Sequence, residues 1–176
     1  MTKLERLTYV CLITLCILSA GTLAKRWWLK DRTQEQVVSP NMLIGQRIDI
    51  PGATWGSSQI NVVVFLSGEC RFCEASMPFY RRLASEHRHA AGSGVSLLAV
   101  SLEPSEYLSD HLASEQLQFD HVFQLKQPSA LLHATPTFLI VDKNGVIQRA
   151  AIGELPATKE DEMLKIVKTG ELSGRI

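Results

Sequence analysis

Two short apolar runs rich in β-branched residues, Asn61–Ser67 (NVVVFLS) and Val95–Leu102 (VSLLAVSL), do most to limit what this chain can fold into. Neither alternates polar with apolar residues, so each suits a strand covered on both faces, as in a parallel sheet lined by helices. Residues 74–89 supply one such helix, with Met77, Tyr80, Leu83 and Ala84 at helical spacing and arginines and histidines on the opposite face; Pro78 is expected to kink it. Residues 104–117 put Tyr107, Leu108, His111, Leu112 and Glu115 in helical register. A short strand is expected over Phe119–Leu125, a helical turn over Pro128–His133 and another strand over Thr137–Val141. Asn144-Gly145 is a pair that accepts positive φ in a tight hairpin, so Thr137–Val141 and Val146–Ile152 should be antiparallel neighbours. A last helix is expected from about Ala157 to Lys168. Two helix-linked crossovers followed by a hairpin predict an α/β fold with a mixed central sheet flanked by helices.

Composition narrows the function. With 176 residues, 45% of them hydrophobic, the chain can bury the core of one domain and still carry an appendage, which excludes disorder and collagen. Charge balances at 18 Lys and Arg against 18 Asp and Glu, but unevenly: residues 1–32 carry six basic residues against two acids, the remainder 12 against 16. The globular part is mildly acidic and offers no continuous basic face, so no nucleic-acid partner is expected.

The appendage is a membrane signal. Leu7–Ala24 contains 18 residues without a charge, preceded by Lys3 and Arg6 and followed by Lys25, Arg26, Trp27 and Trp28. As a helix it would cover roughly 27–33 Å with its aromatic flank, the thickness of a hydrocarbon core, with the tryptophans at headgroup depth. Residues 1–30 are therefore expected to form an N-terminal transmembrane helix that meets the membrane through residues 7–24. Thr22 and Ala24 also make a passable cleavage site, so a removed signal peptide stays open. Two Lys and Arg precede the helix and four follow it, which by the positive-inside rule would leave the domain in the cytoplasm. Residues 31–46 are polar with a Pro and a Gly and suit a linker, leaving 47–176 as the domain.

Cys70-Arg71-Phe72-Cys73 falls where the first buried strand gives way to the long helix. A thiol at a helix N-terminus meets unpaired backbone N–H groups and the positive end of the helix dipole, which stabilise a thiolate. A gap of two residues in the first turn brings the second sulfur within bonding reach of the first. Cys70 should be the exposed nucleophile and Cys73 the resolving thiol. Arg71 adds positive charge nearby, while Glu69 opposes it and tempers any fall in the Cys70 pKa; Phe72 completes the intervening dipeptide. Zinc would need further ligands, and no second Cys pair or spaced His pair lies in the soluble part, so no metal site is expected. A purely structural disulfide would close too small a loop to stabilise much. The five histidines form no catalytic constellation.

The block Asn61–Pro78, followed by Ala134-Thr135-Pro136-Thr137-Phe138 and FLIVDKNGVIQRAAIGEL, resembles the thioredoxin superfamily, and within it the membrane-anchored TlpA/ResA-like thiol-disulfide oxidoreductases. The likeness spans roughly residues 41–170. It implies a thioredoxin-like fold, a cis Pro136 against the dithiol, and a substrate platform made by Thr135 and Pro136. An X-Pro bond entering a strand can independently accommodate a cis peptide and leave backbone groups for β-type pairing. The resemblance further implies exchange with protein disulfide or dithiol substrates, no cofactor, and a single-pass bacterial inner-membrane protein with its domain in the periplasm or otherwise extracytoplasmic. A membrane electron donor or a cytochrome maturation component would be its partner there.

Three positions depart from that pattern. Val64 stands where thioredoxins carry a buried Asp, Glu69 where a Trp usually precedes the motif, and Ser76 where many TlpA/ResA-like proteins have a Glu. Proton transfer at Cys73 is then expected to use water or Glu69, with Glu74 a solvated carboxylate. These departures keep two other functions open: a thioredoxin-fold peptide-binding or chaperone module without turnover, and a metallochaperone holding a soft ion between the two thiolates.

Overall fold

The longest run of β-branched residues becomes the middle of the sheet. β1 (Ile60–Phe65) is buried at every position and pairs in parallel with β2 (Val95–Ser101) on one side. On its other side it pairs antiparallel with β4 (Thr137–Asp142). β3 (His121–Gln124) extends the sheet in parallel beyond β2, and β5 (Ile147–Ile152) extends it antiparallel beyond β4, giving the order β3-β2-β1-β4-β5. This mixed five-stranded sheet matches the expected topology.

The computed structural model describes residues 39–172 apart from 91, 128, 130 and 133. The expected membrane helix of residues 7–24 lies outside the described residues; among these, no helix is long and apolar enough to cross a membrane. The expected linker of residues 31–46 gives way to the folded unit at Ser39. Pro40–Met42 form a 3-10 turn, Leu43 is buried, the Gly45 N–H donates to the Ile147 carbonyl (2.7 Å) and the Ile147 N–H to the Gln46 carbonyl (2.9 Å). The segment lacks a hydrophobic period because backbone bonds to the free edge of β5, rather than an apolar face, hold it.

Residues 71–89 form two helices, α1 (Arg71–Ala75) and α2 (Met77–His89), instead of one kinked helix starting at 74. The break falls at Ser76 (φ −85°, ψ −1°). Pro78 thus sits in the first turn of α2, where its missing N–H has no helical partner to lose. α3 (Ser105–Ser114) ends earlier than its periodicity suggests, because Gln116 takes a φ of 59° and the Leu117 N–H folds back to the Leu112 carbonyl (2.8 Å). α4 (Ala157–Thr169) packs against α2, and Arg82 reaches Glu160 and Asp161 across that contact. Val62 and Val64 from β1, and Leu66 just past its end, meet Cys73, Phe79, Tyr80 and Leu83 from α1 and α2, and Met163, Ile166 and Val167 from α4, in the main core.

Two turns differ from expectation. In the β4–β5 connection only Gly145 has positive φ (80°), so the Asn-Gly pair does not build a two-residue loop. The Asp142 carboxylate instead accepts the N–H groups of Asn144 (2.8 Å) and Val146 (3.0 Å), and the register shifts between Ile140 and Val141, as in a turn followed by a glycine bulge. The helical turn expected over Pro128–His133 is a tight turn closed by the Leu132 N–H on the Ser129 carbonyl (3.1 Å), with an isolated bridge between those two residues; 128, 130 and 133 lie outside the described residues.

Candidate active site

β1 delivers the chain to a loop, Ser67-Gly68-Glu69, and Cys70 then serves as the N-cap of α1. Its Sγ accepts a hydrogen bond from the Cys73 N–H (3.2 Å), a cap role usually filled by a Ser, Thr, Asp or Asn oxygen. Both thiols are free. Cys70 is half-buried, whereas Cys73 is turned into the core and only 1% exposed.

This placement drives the two thiols apart. Burial opposes ionisation of Cys70, but hydrogen bonds from the Cys73 thiol, the Thr135 side chain and the Cys73 and Phe72 backbone outweigh it, so its pKa falls below the ordinary 9.0. At Cys73 burial dominates, the Cys70 sulfur adds to it, and the pKa is pushed up to about 12. The flanking charges lead neither shift. Glu69 is exposed, and among the described residues no hydrogen bond joins its carboxylate to either cysteine; its backbone N–H donates to Ser67 Oγ (3.3 Å). Arg71 stacks over the Phe72 ring, 5.0 Å from its centroid, and Phe72 stays 48% exposed.

Opposite the dithiol, the Thr135–Pro136 peptide bond is cis, and the Cys70 thiol donates to the Thr135 carbonyl (3.4 Å). The two platform residues divide. Thr135 is half-buried and faces the Cys70 sulfur, while Pro136 is buried and its carbonyl is occupied by the Gly153 N–H (2.7 Å). Pro136 therefore shapes the site, and the backbone beside the sulfur belongs to Thr135.

The loop before Cys70 is held from a neighbouring strand end. Glu103, just past β2, accepts the Ser67 hydroxyl on Oε1 (2.6 Å) and the Gly68 N–H on both oxygens (3.1 Å each). Its own N–H donates to Ser101 Oγ (2.9 Å). Gly68 runs so close to Tyr107 that a Cβ there would lie 3.1 Å from the ring.

With this geometry in place, solved structures can be set beside it. The chain superposes on a putative thiol:disulfide interchange protein DsbE from Chlorobium tepidum with a TM-score of 0.52 and 21% identity, over 71% of this chain and 95% of that one. The fold is thioredoxin-like. A thiol:disulfide interchange protein from Bacteroides sp. superposes with a TM-score of 0.52 and 18% identity, over 72% of this chain and 86% of that one. A thiol-disulfide isomerase from Corynebacterium glutamicum does so with a TM-score of 0.53 and 14% identity, over 71% and 97%. At such identities the likeness is one of fold. No family model matches the sequence, and no curated protein matches it.

In this thioredoxin-like fold, Cys70, Cys73, Thr135 and Pro136 come together at one end of the sheet, with Phe72 exposed beside them, while Glu69 and Arg71 point to solvent. Sequence reasoning missed Glu103; it put Tyr80 on the apolar face of its helix, where the ring is fully buried, but gave it no part in the site. The signal for Glu103 was its position one residue after the second buried run, since the carboxyl ends of adjacent parallel strands lie side by side. Among the described residues no cluster of three or more His, Cys, Asp or Glu side chains could hold a metal.

Proposed function

We propose that this chain is a membrane-tethered thiol-disulfide oxidoreductase that reduces protein disulfides through Cys70 and Cys73. The observation that carries the reading is the contrast between the thiols: one half-exposed, capped by N–H and easily ionised, the other buried one turn away and held protonated. The Cys70 thiolate attacks a substrate disulfide to form a mixed disulfide, and Cys73 then displaces the substrate sulfur. Support for a peptide substrate comes from the Thr135 backbone opposite the sulfur and the exposed Phe72 ring beside it. No cofactor enters this cycle.

The charge-free run of residues 7–24 supports a single-pass anchor in a bacterial inner membrane, with the domain on the periplasmic side, where protein disulfides persist. Tethering raises the effective concentration of the domain toward membrane partners, such as an electron donor or a cytochrome maturation component. The test is the reduction potential of the Cys70/Cys73 pair in the full chain carrying Cys11→Ala and Cys16→Ala, by thiol trapping across graded redox buffers. A reversible two-electron couple nearer the roughly −270 mV of thioredoxin than the roughly −120 mV of a strong oxidant is expected, with Cys70 alkylated well before Cys73. Absence of a reversible couple would replace the oxidoreductase with a non-catalytic peptide-binding module.

A further inference from the structure

Tyr80 is the largest of the fully buried side chains, and its hydroxyl has no hydrogen-bond partner of good geometry among the described residues. A phenylalanine would fill the same volume without leaving a polar group dry, so the hydroxyl calls for a reason. The ring is fixed between Phe79 and Phe138, with centroids 6.2 and 5.8 Å away. It follows Cys73 by seven residues in the α1–α2 segment, about two helical turns, which returns it to the side where Cys73 enters the core. Its hydroxyl lies within side-chain reach of Cys73 and Ser76. The Ser76 hydroxyl gives its proton to the Phe72 carbonyl (2.8 Å), so toward Tyr80 it is a neutral acceptor only, weaker than a thiolate. The buried polar residues among those described are Asn61, Ser76, Ser101 and Thr137, none of which carries a charge, so no buried cation offsets a thiolate at Cys73.

We propose that the Tyr80 hydroxyl donates a hydrogen bond to the Cys73 sulfur whenever that sulfur is a thiolate, and thereby sets the rate at which the mixed disulfide on Cys70 resolves. The inference rests on the dithiol reading above. In the step concerned, Cys73 releases its proton to water and its thiolate attacks Cys70 Sγ. The Cys70–Cys73 bond forms and the bond from Cys70 to the substrate sulfur breaks. The electron pair leaves on the substrate thiolate, which takes a proton from water. Tyr80 keeps its own proton throughout, and the same bond stabilises Cys73 as leaving group in the reverse direction.

The reduced full chain, with Cys11→Ala and Cys16→Ala, is mixed with 5,5′-dithiobis(2-nitrobenzoic acid) in a stopped-flow spectrometer. The first thionitrobenzoate reports attack by Cys70 and the second reports resolution by Cys73. Tyr80→Phe should slow the second phase about tenfold, the loss expected for a hydrogen bond to a charged group, and leave the first within about twofold. Phe138→Leu, which loosens the ring but keeps the hydroxyl, should slow the second phase much less. An unchanged second phase in Tyr80→Phe, equal slowing of both phases, or equal slowing by Phe138→Leu would overturn the role of Tyr80 while leaving the dithiol reading intact. Failure of the unsubstituted Tyr80 chain to release a second equivalent would overturn the dithiol reading itself.

Discussion

Removal of the Glu103 carboxylate should loosen the loop that presents Cys70. Glu103→Ala breaks the 2.6 Å bond from the Ser67 hydroxyl and the shared 3.1 Å bonds from the Gly68 N–H. Hydrogen bonds to a charged acceptor contribute about 1.5–3 kcal/mol each. Ser67, Gly68 and Glu103 are all half-buried, so water recovers part of this, and the expected loss of stability is about 2 kcal/mol. Urea unfolding of the reduced chain measures it. A double-mutant cycle with Ser67→Ala isolates the hydroxyl–carboxylate bond, with an expected coupling of about 1 kcal/mol. Because the same loop positions Cys70 as the N-cap, its alkylation midpoint should also rise toward 9.0 in Glu103→Ala. A coupling under about 0.3 kcal/mol, or an unmoved alkylation midpoint, would show that the carboxylate does not hold the loop.

Two further outcomes follow from the dithiol and from the end of α4. Cys73 has a pKa of about 12 in the folded reduced chain against 9.0 when unfolded, so its contribution is intact below pH 9.0 and is lost as pH rises towards 12. Across that window the reduced form should lose up to about 1.4 kcal/mol per pH unit more than the oxidised form, which has no thiol to ionise. Burial also holds the Tyr80 hydroxyl protonated, so above pH 10 both forms lose stability alike from that group, and parallel denaturation curves for the two forms would contradict the role of Cys73. Cys70 acts with opposite sign, its contribution being present above 9.0 and lost as pH falls through its lowered folded value. Gly170 closes α4 with φ +65°, and a Cβ there would sit 2.2 Å from the Ser93 carbonyl oxygen. Gly170→Ala should therefore cost about 2 kcal/mol or more in thermal or urea unfolding, and a loss under about 0.5 kcal/mol would refute the clash.

Sequence reasoning reached furthest where one short-range signal had one physical outcome. The unbroken run Val62–Phe65 could only be a strand covered on both faces, and it lies at the centre of the sheet. It was weaker where local chemistry allowed several outcomes. Asn144-Gly145 reads as a two-residue hairpin, yet the Asp142 side chain competes for the same N–H groups and gives a longer turn. Pro78 reads as a kink, but a break at Ser76 makes it the start of a new helix. Residues 40–46 read as linker because their partner is the backbone of β5, and edge pairing leaves no hydrophobic period.

The same division holds at the candidate site. Spacing alone placed Cys70 and Cys73 on one helical turn after a strand, because those relations span only a few residues. The hydrogen bonds from Cys73 and Phe72 that favour the Cys70 thiolate are equally local; residues distant in sequence add Thr135, 65 positions away, whose carbonyl accepts the Cys70 thiol and whose side chain favours its thiolate, and the core that buries Cys73. Glu103 is likewise brought to Ser67 and Gly68 only by the parallel pairing of β1 with β2, and the Tyr80 ring is fixed in part by Phe138 of β4. Local sequence determined which atoms could react and which sulfur caps the helix; the packing of strands and helices decided how far the two thiols differ, because the desolvation of Cys73 and the long-range hydrogen bonds with Thr135 exist only once the sheet has formed.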